Sequence, residues 1–115
     1  MLEKPRFFQG LYPFEGAGLA QLIPMKPAVI YKVPFDKRAQ LIYFRAGNSS
    51  PELIYLVFKR NGVPMRYFPI GAKDATHVSL AVVEDLQPET QLEILLAAPE
   101  GVKGSIVLDV GLMEI

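Results

Sequence analysis

Cations and aromatic rings alternate through the middle of this chain. Arg45, Lys59, Arg60 and Arg66 are interleaved with Tyr43, Tyr55 and Phe68. Guanidinium and ammonium groups donate to anions, and rings offer flat apolar faces. The set Tyr43, Arg45, Tyr55, Lys59, Arg66 and Phe68 therefore suits an anionic ligand, a sugar or a single nucleic-acid strand. It equally suits cation–π packing within a sheet or at a subunit interface. Acidic residues form a second group: Glu84 and Asp85, followed by Asp109 and Glu114. Paired carboxylates can act as the acid and base of glycoside hydrolysis or hold a hard cation, calcium being the one that loop carboxylates and carbonyls fit. The plainer reading is solvated acidic loops. His77 and Ser79 lie two apart, so on a strand they share a face. Their Cβ atoms would then be ~7 Å apart, too far for a nucleophile and its base. A serine from another strand would have to complete such a pair, and a structural or surface histidine is the simpler role.

Other motifs lack their context. Gly16-Ala17-Gly18-Leu19-Ala20-Gln21 opens like a dinucleotide-binding turn, but the third glycine, the preceding strand and the following helix are missing. It is expected to be a glycine turn. Asn48-Ser49-Ser50 fits a glycosylation acceptor and Pro24-Met25-Lys26-Pro27 fits P-x-x-P; a loop and a strand bend are the expected roles. With no Cys, disulfides, thiolate metal sites and a cysteine nucleophile are excluded, and one His cannot build a multi-histidine site within one chain. Calcium apart, no cofactor is implied.

The elements that would position these groups are strands. Ten Pro and nine Gly leave few gaps long enough for a helix, and the best helical candidate, 81–86, is too short to matter. Between the breakers lie apolar runs rich in Val, Ile, Leu, Tyr and Phe, at 19–23, 28–33, 39–45, 53–60, 63–68, 77–82, 91–97 and 105–114. Eight short strands at this spacing predict an all-β, antiparallel two-sheet β-sandwich of jelly-roll type, with a small closed barrel as the alternative. Asn61-Gly62 between two such runs predicts a two-residue type I′ hairpin. Its register would set Phe58 against Met65 and Leu56 against Tyr67. The core face would then be Ile54, Leu56, Phe58, Met65 and Tyr67, and the outer face Tyr55, Val57, Lys59, Arg66 and Phe68.

At 115 residues the chain is one domain with room for a core. Residues 1–18 read as an aromatic, Gly/Pro-rich N-terminal arm packed on its own sandwich or on a neighbouring chain, and residues 19–115 as the sandwich. Lys and Arg total 12 against 12 Asp and Glu, and the zero balance argues against a dedicated nucleic-acid binder. Neither a secretory signal nor an apolar run long enough for a membrane helix is present, so the expected location is cytoplasmic, away from membranes. The balance hides an asymmetry. Residues 1–73 carry 11 bases and 4 acids, a net +7, whereas 74–115 carry 1 base and 8 acids, a net −7. Basic early strands could pair with acidic late ones inside one molecule. Alternatively, opposed surfaces could meet between copies. High hydropathy without net charge favours association, so a homo-oligomer or a protein partner is expected.

The segment Gln40-Leu41-Ile42-Tyr43-Phe44-Arg45-Ala46-Gly47-Asn48-Ser49 resembles an early strand, running into a polar loop, of galactose-binding-like jelly rolls, the class that includes many carbohydrate-binding modules. The run from Ser105 through Asp109 to Ile115 resembles their closing strand. The resemblance extends over residues 28–115 and rests on strand pattern. It implies a glycan ligand, with Tyr43, Tyr55 and Arg66 on the binding face and Asp109 near a structural calcium. With no catalytic constellation in view, the expected function is a non-catalytic interaction module, self-associating or an accessory subunit; a carbohydrate-binding module is the alternative, and a small enzyme using Glu84, Asp85 or His77 ranks behind both.

Overall fold

The computed structural model describes residues 3–115, with the backbone alone at 80–84. Eight strands follow in order: β1 (Lys4–Glu15), β2 (Ile23–Lys32), β3 (Ala39–Asn48), β4 (Ile54–Arg60), β5 (Val63–Ile70), β6 (Ala75–Leu86), β7 (Gln91–Ala97) and β8 (Lys103–Glu114). They make two antiparallel four-stranded sheets, ordered β1-β8-β3-β6 and β2-β7-β4-β5. This interleaving of early and late strands is the jelly roll expected from the strand pattern. Among the described residues no helix is long and apolar enough to cross a membrane.

The strands run longer than the prolines implied, because proline is tolerated on edges. Pro5 and Pro13 lie on β1, Pro24 and Pro27 on β2, Pro64 and Pro69 on β5, and each of these strands borders its sheet. An edge strand has one row of N–H groups with no ladder to serve, so a missing donor there costs little. For the same reason residues 4–15, read from sequence as part of an arm outside the sandwich, form an edge strand paired with β8 from Lys4↔Glu114 to Glu15↔Lys103. Phe8, Tyr12 and Phe14 of β1 pack against the core. The strand expected at 19–23 is instead mostly a turn, and β2 begins only at Ile23.

The Asn61-Gly62 turn forms as expected, with φ of 49° and 81°. The register beyond it does not. Lys59 pairs with Pro64 and Phe58 with Arg66, so Met65 is bulged out of the ladder. Pro64 has no N–H to give, and the bulge follows directly after it. The one-residue slip reverses the face of every later residue. Phe68 and Ile70 turn inward and Tyr67 outward, 59% exposed.

That slip builds the centre of the core. Phe68 stacks on Phe44 of the opposite sheet at 4.1 Å between centroids, and Phe58 meets both rings edge-on at 5.2 and 5.6 Å. At the end where the chain terminates, the core closes on a buried carboxylate. Glu114 accepts from Tyr31 Oη at 2.5 Å and from Arg6 Nε at 3.0 Å, joining β8 to strands of both sheets. Burial pushes the Glu114 pKa up, but the Tyr31 and Arg6 bonds outweigh it and the net shift is downward. Burial and the same carboxylate raise the Tyr31 pKa.

Because Phe44 is the one ring that links the sheets in this cluster, Phe44→Ala is expected to lower unfolding free energy by about 3–5 kcal/mol. Urea denaturation measures it, and a loss below ~1 kcal/mol would show that the ring cluster does not hold the sheets together.

Candidate functional site

In a sheet, alternate residues share a face, and register decides which side chains from different strands become neighbours. Outward residues of β1, β8, β3 and β6 therefore fall into rows. One row reads Gln9, Asp109, Arg45, His77. Asp109 is its hub. Oδ1 accepts from Tyr43 Oη at 2.7 Å and Gln9 Nε2 at 3.1 Å; Oδ2 accepts from Arg45 through Nε at 3.2 Å and through a shorter bond from Nη2. Bonds from Arg45, then Tyr43, then Gln9, hold the Asp109 carboxyl down at about 2. The Tyr43 hydroxyl is shifted the other way, upward, by burial and by its bond to Asp109.

Tyr43 lies over Gly111. A Cβ at 111 would stand 2.1 Å from the tyrosine ring, so only glycine admits it. Arg45 sits 5.8 Å from the Tyr43 ring centroid, and the His77 ring meets Tyr43 edge-on at 6.5 Å. The next row reads Leu11, Val107, Gly47, Ala75. Its small half leaves an open depression of about 490 Å³, bordered by Arg45, His77, Val107 and Asp109. That volume is within the range of small-ligand sites, ~300–1,000 Å³, but the depression is a trough on a sheet and not an enclosing cleft.

The residues singled out in the sequence divide between places. Tyr43, Arg45 and Asp109 come together here. Tyr55 and Lys59 lie on the outward face of the other sheet, where Tyr55 Oη donates to the Leu19 carbonyl. Phe68 is a core residue, 6% exposed, and Arg66 follows it onto the inward side of β5, half-buried. The bulge at Met65 is the reason for both. Asp109 as a calcium ligand meets a physical obstacle: both oxygens already receive protein donors, one of them a guanidinium. Among the described residues no group of three His, Asp or Glu could hold a metal.

Asp85 pairs with Arg38 at 2.9 Å, Glu114 is the inter-sheet carboxylate, and the Glu84 side chain lies outside the described residues. Asn48 is 3% exposed and donates to the carbonyls of Glu52, Ile70 and Gly71, so it braces two loops. Gly16 begins the crossover between sheets, where a Cβ would strike the Pro99 carbonyl at 2.1 Å. The P-x-x-P run falls where β2 breaks register against β7, between Pro24 and Val29. Gln9 was invisible as a site residue, because its place beside Asp109 depends on pairing across a hundred residues of chain. No protein-family model matches this chain, and a search of curated proteins finds no match.

The unfolded chain takes up a proton on Asp109 near the ordinary value of 3.8, the folded chain only near 2. Between those values the folded state binds fewer protons, so stability present above about pH 4 is lost as pH falls toward 2. Asp109→Asn should flatten the fall of urea midpoint with pH across that window, leaving the contribution of Glu114. An unchanged slope would show that the hub does not carry the charge.

Proposed function

We propose that this chain is a non-catalytic interaction module, self-associating or serving as an accessory subunit, that works through the outer face of the β1-β8-β3-β6 sheet. A contrast between its two outer faces carries the reading. On this face Phe7, Leu11 and Val107 are 56%, 65% and 60% exposed. On the other, outward-pointing Val57, Leu95 and Ala97 of the central strands are buried, the 16–22 crossover is tied there by Tyr55 and by Gly18 N–H to the Ala98 carbonyl at 2.8 Å, and the exposed Ile30 and Tyr67 stand apart on the two edge strands. Large apolar side chains left bare beside a polar network mark contact surfaces. His77 and Ser79 form no hydrogen bond with each other, and the His77 ring meets Tyr43 edge-on, an arrangement that favours a binding surface over nucleophilic catalysis.

A photo-crosslinking residue placed at Leu11 or Val107, in cells that make the chain naturally, should yield discrete adducts; the same residue at Ile30 on the other face should not. Absence of adducts at Leu11 and Val107 would overturn the reading.

A second reading, a carbohydrate-binding module of galactose-binding-like type, draws on the Tyr43 ring over Gly111 with Arg45, Asp109 and His77 around it. It retains Tyr43 and Arg45 of the six residues first grouped by sequence. Glycan-array binding abolished by Tyr43→Ala is the expected result under it, and an array without binding would remove it.

A further inference from the structure

The rows of the exposed sheet differ systematically from one half to the other. The β1-β8 half offers Leu11 and Val107 in one row, Gln9 and Asp109 in the next. The β3-β6 half offers Gly47 and Ala75, then Arg45 and His77. One half is thus a ridge with an acid below it, and the other a trough with bases below it. We propose that the occupant of this face is a second copy of the chain, packed face to face about a twofold axis that runs along the strands between β8 and β3. The proposal rests on the interaction-module reading and names its partner.

The symmetry makes the match. A twofold rotation about that axis keeps each row in place and exchanges β8 with β3 and β1 with β6. Val107 then faces Gly47 of the partner subunit, and Leu11 faces Ala75 of the partner subunit, so the ridge enters the trough. Asp109 faces Arg45 of the partner subunit, and Gln9 faces His77 of the partner subunit. Each contact occurs twice, as an isologous interface requires. Face-to-face sheets pack ~10 Å apart with strands within ~30° of alignment, which preserves these row-to-row contacts near the axis.

Size and charge are both adequate. Four strands at ~4.8 Å spacing and about nine residues of strand length at ~3.3 Å each give a face of roughly 570 Å² per copy, about 1,100 Å² in all. Specific interfaces begin near ~1,000 Å². Every lone-pair direction of Asp109 is already met by Tyr43, Gln9 or Arg45, so closing the face leaves no bare carboxylate. The alternating acids and bases of two copies then form one neutral cluster, and opposed like charges are avoided.

The chain contains no Cys, which permits a clean cross-link. Within one chain Leu11 and Ala75 are three strand spacings apart, ~14 Å, whereas across the proposed interface the facing Cα atoms lie ~10 Å apart with their side chains directed at each other, too far for a disulfide but within reach of a short bis-maleimide. In the double variant Leu11→Cys/Ala75→Cys, a short bis-maleimide should give a covalent species of twice the 12.8 kDa chain mass, and neither single variant should do so. Light scattering of the wild type should report two chains, and Gly47→Val should reduce this to one. Gly47 does not have a left-handed φ, and a Cβ there comes no nearer than 3.9 Å to Val107, so a branched side chain can begin there without strain, and the far-ultraviolet circular dichroism of the variant is required to match the wild type. Two outcomes overturn the proposal: a one-chain wild type at its highest soluble concentration, or a two-chain mass that survives Gly47→Val without the Leu11–Ala75 bis-maleimide cross-link. Neither touches the interaction-module reading, which falls only if Leu11 and Val107 cross-link to nothing in cells.

Discussion

The strict alternation of β8 governs this molecule. Ile106, Leu108, Val110, Leu112 and Glu114 point inward and are buried, while Val107, Asp109, Gly111 and Met113 point outward. The strand is paired on both sides, with β1 and with β3. A slip of one residue would place Asp109 in the core and expose four aliphatic side chains, so the register is strongly specified. The same alternation therefore fixes the hydrophobic interior, the inter-sheet carboxylate and the hub of the outer face. Because β8 is the last strand and its neighbours are the first and third, the site is assembled from residues that no local stretch of sequence brings together.

This topology also explains how a chain with two oppositely charged halves is neutral in space. Strands from the acidic part lie beside strands from the basic part. Among the described residues, Arg6–Glu114, Arg38–Asp85 and Arg45–Asp109 each join an early base to a late acid. Another pair, Lys103–Glu15, reverses the order and is exposed and long, at 3.8 Å. Such a surface pair contributes little. The buried Glu114 is different. A carboxylate between the sheets is tolerable only because Tyr31 and Arg6 satisfy it, and removing either partner would leave charge in a place without water.

Local chemistry was legible in the sequence, and pairing was not. Asn61-Gly62 announces its turn because both residues must adopt positive φ, a property of the residues themselves. Seven of the eight strands and the jelly-roll class follow from apolar runs between breakers; the run at 19–22 is a turn, and β1 takes the eighth place. The face of Phe68 did not follow, because a single bulged residue, Met65, is a matter of how two strands meet. For the same reason Tyr55 and Phe68 could be grouped with Tyr43 by sequence distance although they stand on another face and in the core. β1 was hidden by Pro5, Gly10 and Pro13, which break a central strand but are harmless on an edge.

The edges and faces together limit how this sandwich can meet another molecule. A sheet edge with free N–H and C=O groups invites another strand. On β1, β2 and β5 prolines remove donors. β6 has none, but its register against β3 breaks between Ser79 and Glu84, and such a break interrupts the regular row of groups that a new strand would need. Strand addition is thus disfavoured at all four edges by two separate devices. Of the two faces, one has its central strands tied to the 16–22 crossover and exposes apolar side chains, Ile30 and Tyr67, apart from each other on its edge strands. What is left is the outer face of β1-β8-β3-β6, where apolar side chains stand exposed around a carboxylate whose hydrogen bonds are complete. On such a surface the Asp109 carboxylate can lose water without being stranded, and a facing partner has only the exposed edge of Arg45 left to satisfy.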